Sequence, residues 1–535
     1  MKALKGMICM LLCVVMTVSL PGCKHKAPDP HDEIIYYRVS FEPETLDPQI
    51  AEDSVSKMIV MNIFEGLVRI NEQEEVVPGA AQSWEVSEGG TVYTFHLRRD
   101  AHWNNGEEVT AEDFLYGLQR TIQPQTGSNG AVSLYCIRNA RKINQGEEPL
   151  SKLGVTVTDP YTLRIELEDH YPDFLSLLAT APAMPCNRSF FEQTRGQYGR
   201  DADKLLSNGA FYIRSAGWEH DKYINLRRNY DYSGAQEPVP AGVNIEIAPA
   251  PLNVCQTILD GQLDCYALPA GELPEAQKNH LNLTSFGDTV WGIAFNTENE
   301  ILNHPEIRLA LLRALDRSYL LKQLPQGCTE TAEIIPDGAS YHGSSYREAA
   351  GPVMNVQYSG QASEELRKAM KKLDIESLPK LSILCTDDEA TQKIVNNLIE
   401  TWNALTGSYI NKTPVSRSEL NDRILSGEYR VVIAPLTSNG ESPVNTLELF
   451  CSGSKYNVAQ LSDKTYDHLV DDCRINYASL ESVVRAEQYL AGNGIFYPLY
   501  LESRYYASAP HVTGIIFHPY GAETDFFFAK KLIET

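Results

Sequence analysis

The sequence predicts an α/β protein with more than one domain, and three observations support this prediction. Helical and strand-like hydrophobic patterns are mixed along the whole chain, which favours an α/β or α+β architecture. The chain has 535 residues, more than a single hydrophobic core usually organises. No fixed-period repeat or long linker divides it, so we expect the chain to cross between its domains more than once.

The first half of the sequence contains clear local signals. β-Branched and aromatic residues predict a strand at 33–39, and apolar residues at helical spacing predict a helix at 52–64. Alternating aromatic and polar residues predict a half-buried strand at 93–97. An acidic capping box at 110–113 predicts the start of a helix, and a Thr-Asp-Pro turn within 155–169 predicts a hairpin.

The second half continues the mixture. A helix is predicted at 254–259, before an Asp-Gly turn, and a strand at 291–295. Pro305 occupies a suitable first position for a further helix. A short strand at 381–385 precedes a long helical pattern, and another buried strand is predicted at 429–434. These elements complete the α/β prediction.

The N-terminal sequence is typical of an export signal. Lys2 and Lys5 precede an apolar run over 7–20, which is too short to span a bilayer comfortably but suits a signal core. The run ends in Leu-Pro-Gly-Cys, which resembles the lipobox of bacterial lipoproteins. In such signals the cysteine is lipidated, so we expect a lipid anchor at Cys23. The alternative is a plain secretory signal with an incidental cysteine.

The composition argues against several partners. The chain carries 70 acidic and 46 basic residues, a net charge of −24 at pH 7. Such a surface disfavours nucleic acid and anionic headgroups, so we expect no nucleic-acid partner. No apolar run after the signal is long enough for a membrane helix. We therefore expect the rest of the chain to be soluble and monomeric.

The sequence does not decide whether the cysteines form disulfides or remain free thiols. An export signal permits disulfides, but no pair has CxxC or zinc-ligand spacing. Unpaired thiols are as plausible as bridges, and the sequence does not decide the connectivity. The cysteines after the predicted anchor are Cys136, Cys186, Cys255, Cys265, Cys328, Cys385, Cys451 and Cys473.

Catalytic motifs give no consistent signal. Three S-x-x-K matches begin at Ser54, Ser377 and Ser452, but the S-D-N and K-T-G elements of penicillin-binding enzymes are absent. The sequence contains no HExxH, GxxxxGK[ST] or G-x-S-x-G, and its histidines are scattered. We therefore predict no catalytic residues, no metal site and no cofactor.

Several short motifs occur in order along the chain. They are NIFEGL at 62–67, PGAAQSWE at 78–85, YTFHLR at 93–98, WNNG at 103–106, TAEDF at 110–114, SNGAF at 207–211, RNY at 228–230, GIAFNT at 292–297, IRLA at 307–310, ALDR at 314–317, PLY at 498–500 and VTG at 512–514. Their combined order and spacing, over most of the chain, resemble one family, the bacterial oligopeptide-binding proteins, which form solute-binding family 5 of ABC importers.

The resemblance implies a periplasmic-binding-protein-like II fold with two hinged lobes and an additional domain. Lobe I and lobe III would enclose the cargo, and hinge closure would trap it. The implied divisions are a signal peptide at 1–22, a lipidated tether at 23–33, lobe I at 34–70, 206–295 and 498–535, the additional domain II at 71–205, and lobe III at 296–497.

The resemblance also implies a function. The chain would be a membrane-anchored extracytoplasmic receptor that binds oligopeptides, largely through their main chain, and delivers them to an ABC permease. It would not be an enzyme. The implied ligand-binding residues are Glu65, Gly66, Leu67, Asn208, Gly209, Trp291, Asn296, Asn439 and Tyr500.

One departure from the family leaves the cargo open. Oligopeptide binders carry an aspartate in a W-x-x-D-Y-x-x-P-like stretch, where it pairs with the ligand's α-ammonium. Here Asn439 occupies that place, and an amide supplies no counter-charge. Glu441 would be a nearby substitute. The alternatives are a blocked or signalling peptide, a non-peptide cargo, or a sensor or adhesion lipoprotein that keeps the fold.

Overall fold

The computed structural model describes most of the chain after the predicted export signal. The predicted signal peptide, the predicted lipidation site Cys23 and the predicted tether lie outside the described residues, and so do Asn439 and Glu441. The description covers residues 34–532 except 74, 88, 172, 235, 342–343, 354–355, 379, 439, 441, 476–478 and 519–523.

The strands are numbered in chain order. They are β1 Ile34–Val39, β2 Val68–Ile70, β3 Val76–Pro78, β4 Ala81–Val86, β5 Val92–Leu97, β6 Val155–Asp159, β7 Thr162–Glu166, β8 Phe211–Glu219, β9 Tyr223–Arg228, β10 Gly242–Ile247, β11 Cys265–Leu268, β12 Asn282–Phe295, β13 Cys328–Glu330, β14 Ser340–Tyr341, β15 Ser344–Ser345, β16 Ser382–Thr386, β17 Asn411–Val415, β18 Val431–Thr437, β19 Phe496–Ser508, β20 Val512–Thr513, β21 Ile516–Phe517, β22 Thr524–Asp525 and β23 Lys530–Lys531.

The α-helices are numbered in the same way, and short 3₁₀ turns connect some of them. They are α1 Ser54–Ile63, α2 Ala111–Ile122, α3 Ala140–Asn144, α4 Phe174–Leu177, α5 Arg188–Gln193, α6 Val254–Leu259, α7 Leu273–Lys278, α8 Pro305–Arg313, α9 Arg317–Leu320, α10 Tyr346–Ala350, α11 Ala362–Lys372, α12 Glu389–Thr406, α13 Arg417–Ser426, α14 Pro443–Glu448, α15 Lys464–Ile475 and α16 Leu480–Gly492.

Three larger sheets organise the fold. The first has the strand order β1-β10-β9-β8, with β1 parallel to β10, and the second is an antiparallel sheet of order β4-β5-β7-β6. The third has the order β11-β19-β12-β18-β16-β17, and β13 pairs with β19. Helices accompany these mixed sheets, which confirms the predicted α/β class with several domains.

Helix α2 shows how the local sequence sets an element. The Thr110 backbone N–H donates to the Asp113 carboxylate at 2.8 Å, as the predicted capping box requires. Phe114, Leu118 and Ile122 follow at helical spacing and are fully buried. The same side chains that give the sequence its helical period therefore fix the helix against the second sheet.

The buried apolar side chains form two cores that share a pair of strands. One core contains residues from Ile35 to Leu281 together with residues from Tyr506 onward, and the other extends from Val290 to Leu501. Strands β12 and β19 each pass from one core to the other, and they pair with each other. The cores divide before residue 290 in β12 and after residue 501 in β19, whereas the predicted lobe limits follow residues 295 and 497. The lobe limits stay a prediction.

The pairing of β12 with β19 is irregular at the division between the cores. The register shifts between Gly287 and Thr289, which is typical of a β-bulge. A Cβ atom on Gly287 would lie 2.6 Å from a methyl carbon of Leu501, so the strands approach closely here. Asp288, between the shifted positions, has a buried side chain.

A buried ion pair links α2 to the N-terminal segment. Asp47 accepts hydrogen bonds from both terminal nitrogens of Arg120, at 3.0 and 2.7 Å. Their side chains are 4% and 8% exposed. The Arg120 guanidinium also lies 3.8 Å from the ring centroid of Phe191. The pair therefore fixes how the second sheet's helix sits on the rest of the first core.

We predict that Arg120→Met destabilises the protein, because it leaves the Asp47 carboxylate buried without its partner, a loss of about 3–5 kcal/mol. Urea unfolding followed by circular dichroism measures the change. Arg138→Met is the matched control, since the side chain of Arg138 is 57% exposed and pairs at the surface with Glu166. Equal unfolding midpoints for the two variants would contradict this account.

Candidate ligand-binding cleft

The candidate cleft begins at the edge where three parallel strands end. Strand β16 pairs in parallel with both β17 and β18, so all three have their carboxyl ends at one edge of the sheet. Helices α12, α13 and α14 follow them. Ligands of open α/β sheets bind beyond such carboxyl ends. This edge adjoins the division between the cores, because Thr437 at the end of β18 pairs with Thr289.

Four side chains converge there, and we call them the cleft cluster: Trp291, Arg417, Tyr500 and Glu502. The Trp291 and Tyr500 rings stack with centroids 6.0 Å apart and planes inclined by 18°. The Trp291 indole N–H donates to Glu502 Oε2 at 2.7 Å. Arg417 Nη1 and Nη2 donate to the two Glu502 oxygens, each at 3.1 Å. Strands β12 and β19 and helix α13 thus meet in one cluster.

The cluster combines an apolar wall with a charged rim. The Trp291 and Tyr500 side chains are buried, whereas those of Glu502 and Arg417 are 31% and 54% exposed. Burial raises the pKa of the Tyr500 hydroxyl well above its usual range. Burial, reinforced by the Glu502 and Asp388 charges, raises the pKa of the nearby Cys328 thiol to about 12. At neutral pH these groups stay protonated, so the cluster offers binding surfaces rather than a nucleophile.

A second ion pair lies beside the cluster at the β12 bulge. Arg504 Nε donates to Asp288 Oδ2 at 2.6 Å, and Thr289 Oγ1 donates to Asp288 Oδ1 at 3.0 Å. Asp288 is buried, and Arg504 is 36% exposed. Because the bulge leaves Asp288 inside the fold, this pairing compensates its charge. It joins the two shared strands where they pass between the cores.

Five predicted site residues come together in the other core. The Asn208 side chain accepts from the Glu65 backbone N–H at 3.0 Å and donates to the Glu65 carbonyl at 2.9 Å. A Cβ on Gly66 would lie 2.7 Å from the Leu178 carbonyl oxygen, and one on Gly209 would lie 2.6 Å from a backbone atom of Ile63. The fifth residue, Leu67, is buried. Close backbone packing explains these motifs, and their contact with a ligand stays a prediction.

The Glu65 carboxylate already has partners inside the protein. Its Oε2 accepts from Arg98 Nη2 at 2.5 Å, and its Oε1 contacts the Tyr232 hydroxyl. Burial, and then the adjacent Glu65 charge, raises the pKa of Tyr232 above its usual range. These bonds tie together three separate stretches of the chain around Glu65.

Asn296 lies away from the cleft cluster. Its side chain donates to the carbonyls of Gly427 and Tyr429 at 3.0 and 3.2 Å. Since β12 and β18 are antiparallel, the end of β12 lies opposite Val431, the first residue of β18, rather than opposite its carboxyl end. Asn296 therefore orders the loop before β18. Asn439 lies outside the described residues, so its predicted role in ligand binding stays a prediction.

Arg417 and Glu502 are the cluster residues that motif reasoning missed. Glu502 follows Tyr500 by two positions in a strand, so period-two alternation could have placed both on one face. Arg417 had no local signal, because it reaches the cluster only through the packing of α13. In the part of the chain that the structure describes, no group of three metal-ligating side chains occurs, and no helix is long and apolar enough to cross a bilayer.

Known proteins resemble this chain in sequence and in structure. The family model "Bacterial extracellular solute-binding proteins, family 5 Middle" matches residues 75–458. The oligopeptide-binding protein OppA of Bacillus subtilis is 29% identical, with 77% of this chain and 76% of that protein covered. The dipeptide-binding protein DppE of the same organism is 25% identical, with 97% and 98% covered.

Among solved structures, the substrate-binding domain of an oligopeptide ABC transporter from Bacillus anthracis superposes with a TM-score of 0.72. It is 25% identical, and the match covers 94% of this chain and 99% of that one. This agreement confirms the predicted periplasmic-binding-protein-like fold. The family consists of solute receptors, which confirms that the chain is not an enzyme. The chain belongs to family 5 of the bacterial extracellular solute-binding proteins.

Proposed function

We propose that this protein is the membrane-anchored, extracytoplasmic receptor of an ABC importer, which binds oligopeptides between its two cores and delivers them to the permease. The observation that carries the proposal is the cleft cluster, an aromatic wall with a charged rim at the point where the two cores share β12 and β19. Closure of the cores about that point would enclose a ligand and create the loaded form that a permease recognises.

Peptide cargo suits the surroundings of the cluster. The carboxyl end of β18 lies beside it, and an extended peptide can bind strand ends and loops through main-chain hydrogen bonds. The buried Trp291 and Tyr500 rings would support the exposed Arg417 and Glu502 side chains that face the peptide. The two Bacillus subtilis relatives, an oligopeptide-binding and a dipeptide-binding protein, support the same cargo. The Asn439 departure keeps a blocked peptide or a non-peptide solute as the alternative.

We predict that the protein spanning 24–535, purified without denaturation, carries a mixture of peptides. Native mass spectrometry with collisional release gives the ligand masses directly. A ladder of peptide masses is the expected result, because main-chain recognition tolerates many side chains. One defined non-peptide mass would favour the alternative cargo. A protein that carries no co-purified ligand and does not bind added peptides would contradict the proposal.

We predict that added peptide changes the tryptophan fluorescence, and that Trp291 causes most of the change. The chain has five tryptophans, and Trp291 is the one stacked in the cleft cluster. Trp291→Phe keeps an aromatic ring there and should remove most of the signal. Trp84→Phe, in β4 of the second sheet, is the control and should retain it. A full peptide-induced change in Trp291→Phe would place the ligand elsewhere.

The proposed membrane anchor makes a separate prediction. When the full chain is expressed in bacteria fed a radiolabelled fatty acid, the wild type should incorporate label, because the lipobox-like sequence presents Cys23 for acylation. Cys23→Ser should abolish incorporation, and Cys136→Ser, which removes a partly exposed thiol, should not. If wild type and Cys23→Ser incorporate label equally, the anchor is ruled out while the receptor proposal stands.

A further inference from the structure

The pairing of Arg417 with Glu502 leaves part of the guanidinium unused. Nη1 donates to Oε1 and Nη2 to Oε2, so the carboxylate meets the guanidinium end-on. A guanidinium has five N–H donors in a planar fork. End-on pairing uses two of them and leaves the side edge, formed by Nε–H and the second Nη–H beside it, as another two-donor fork of the same shape.

Among the described residues, the side edge of Arg417 makes no hydrogen bond. Within the part of the chain that the structure describes, Glu502 supplies the hydrogen-bond acceptors recorded for Arg417, and both bonds come from its Nη atoms. The side chain is 54% exposed although its far end is paired. The exposure of the side chain and the lack of an acceptor at its side edge make this edge the candidate binding group of Arg417.

The open edge is held in a defined orientation. Trp291 donates to Glu502 Oε2 at 2.7 Å, which fixes the carboxylate that in turn fixes Arg417. The guanidinium carbon lies 5.1 Å from the Trp291 ring centroid, within the range of a cation–π contact. Trp291 itself is buried on β12. A fork restrained by two neighbours loses less entropy on binding than a free side chain does.

We propose that the Nε edge of Arg417 binds a carboxylate of the cargo, so that the cleft selects ligands with an anionic group. The inference rests on the proposed peptide-receptor function and adds a charge preference to it. Planar forks match carboxylates in a bidentate geometry that lysine cannot reproduce. The carboxylate would come either from the C-terminus of a peptide or from an acidic side chain. Because Arg417 already neutralises Glu502, the cluster has no unpaired anion for an ammonium group.

The test measures affinities by isothermal titration calorimetry with short alanine-based peptides. Four versions are compared: a central Glu or a central Gln, each with a free or an amidated C-terminus. The proteins are wild type, Arg417→Gln, Arg417→Lys and the control Arg423→Gln. Arg423 lies on the same helix and pairs with Glu419 at the surface, so its replacement makes the same change in charge away from the cluster.

The expected result is that Arg417→Gln binds peptides carrying the recognised carboxylate at least about tenfold more weakly. It should bind peptides lacking that group as the wild type does. Arg417→Lys should lie between the two, and Arg423→Gln should match the wild type. If Arg417→Gln loses affinity only for peptides with a free C-terminus, Arg417 binds the terminal carboxylate. If it loses affinity only for peptides with a central Glu, Arg417 binds the Glu side chain.

Two results would overturn the inference while leaving the receptor function intact. One is unchanged affinity of Arg417→Gln for all four peptides, and the other is an equal loss for all four, which marks a structural role. If the wild type binds none of the peptides, and neither peptide extracts nor co-purified peptide give any signal, the proposed function fails as well. Circular dichroism melting curves identify a variant that is merely unfolded.

Discussion

The fold depends on one constraint, that two paired strands belong to two hydrophobic cores at once. Strands β12 and β19 pack at one end with the core built on the first sheet and at the other with the core from residue 290 to residue 501. The apolar side chains on each side pack into their own core. In the proposed closure, the short stretch between the cores, where the strand pairing is interrupted, would bend.

The side chains at that stretch suit two proposed roles, a hinge between the cores and a wall of the candidate cleft. The Asp288–Arg504 pair compensates a carboxylate that the bulge turns inward, so the strands can deviate from regular pairing without leaving a buried charge unpaired. Three residues further along β12, Trp291 presents its ring and its indole N–H to β19. A ligand that contacts the cleft cluster would thus lie directly against the strands that connect the cores, which would couple binding to the proposed closure.

Local patterns predicted much of this fold, and long-range packing accounts for what they missed. The helix after Thr110 was predictable because its capping box and apolar period occur in adjacent residues. The α/β class and the membership of Trp291 and Tyr500 in one site were also within reach of sequence comparison. The Arg417–Glu502 pair was not, because 85 positions separate its partners and only the packing of α13 against the sheet brings them together.

The glycine and asparagine motifs were easy to recognise in the sequence, but the sequence did not reveal whether they serve folding or ligand binding. Gly66, Gly209 and Asn208 are recognisable in sequence, but in the structure they provide close backbone packing and hydrogen bonds between distant stretches of the chain. The sequence could not decide whether the cysteines form disulfides, because pairing depends on the distance between them in the fold. The eight cysteines that the structure describes are all free.

Small-angle X-ray scattering tests the central claim most directly, that the two cores move as bodies about their shared strands when a ligand enters. The radius of gyration would be measured for ligand-free protein and again with saturating peptide, binding being verified by calorimetry on the same sample. The account predicts a smaller radius of gyration in the bound state, because closure brings the two cores together. Saturated binding with an unchanged radius of gyration would contradict it.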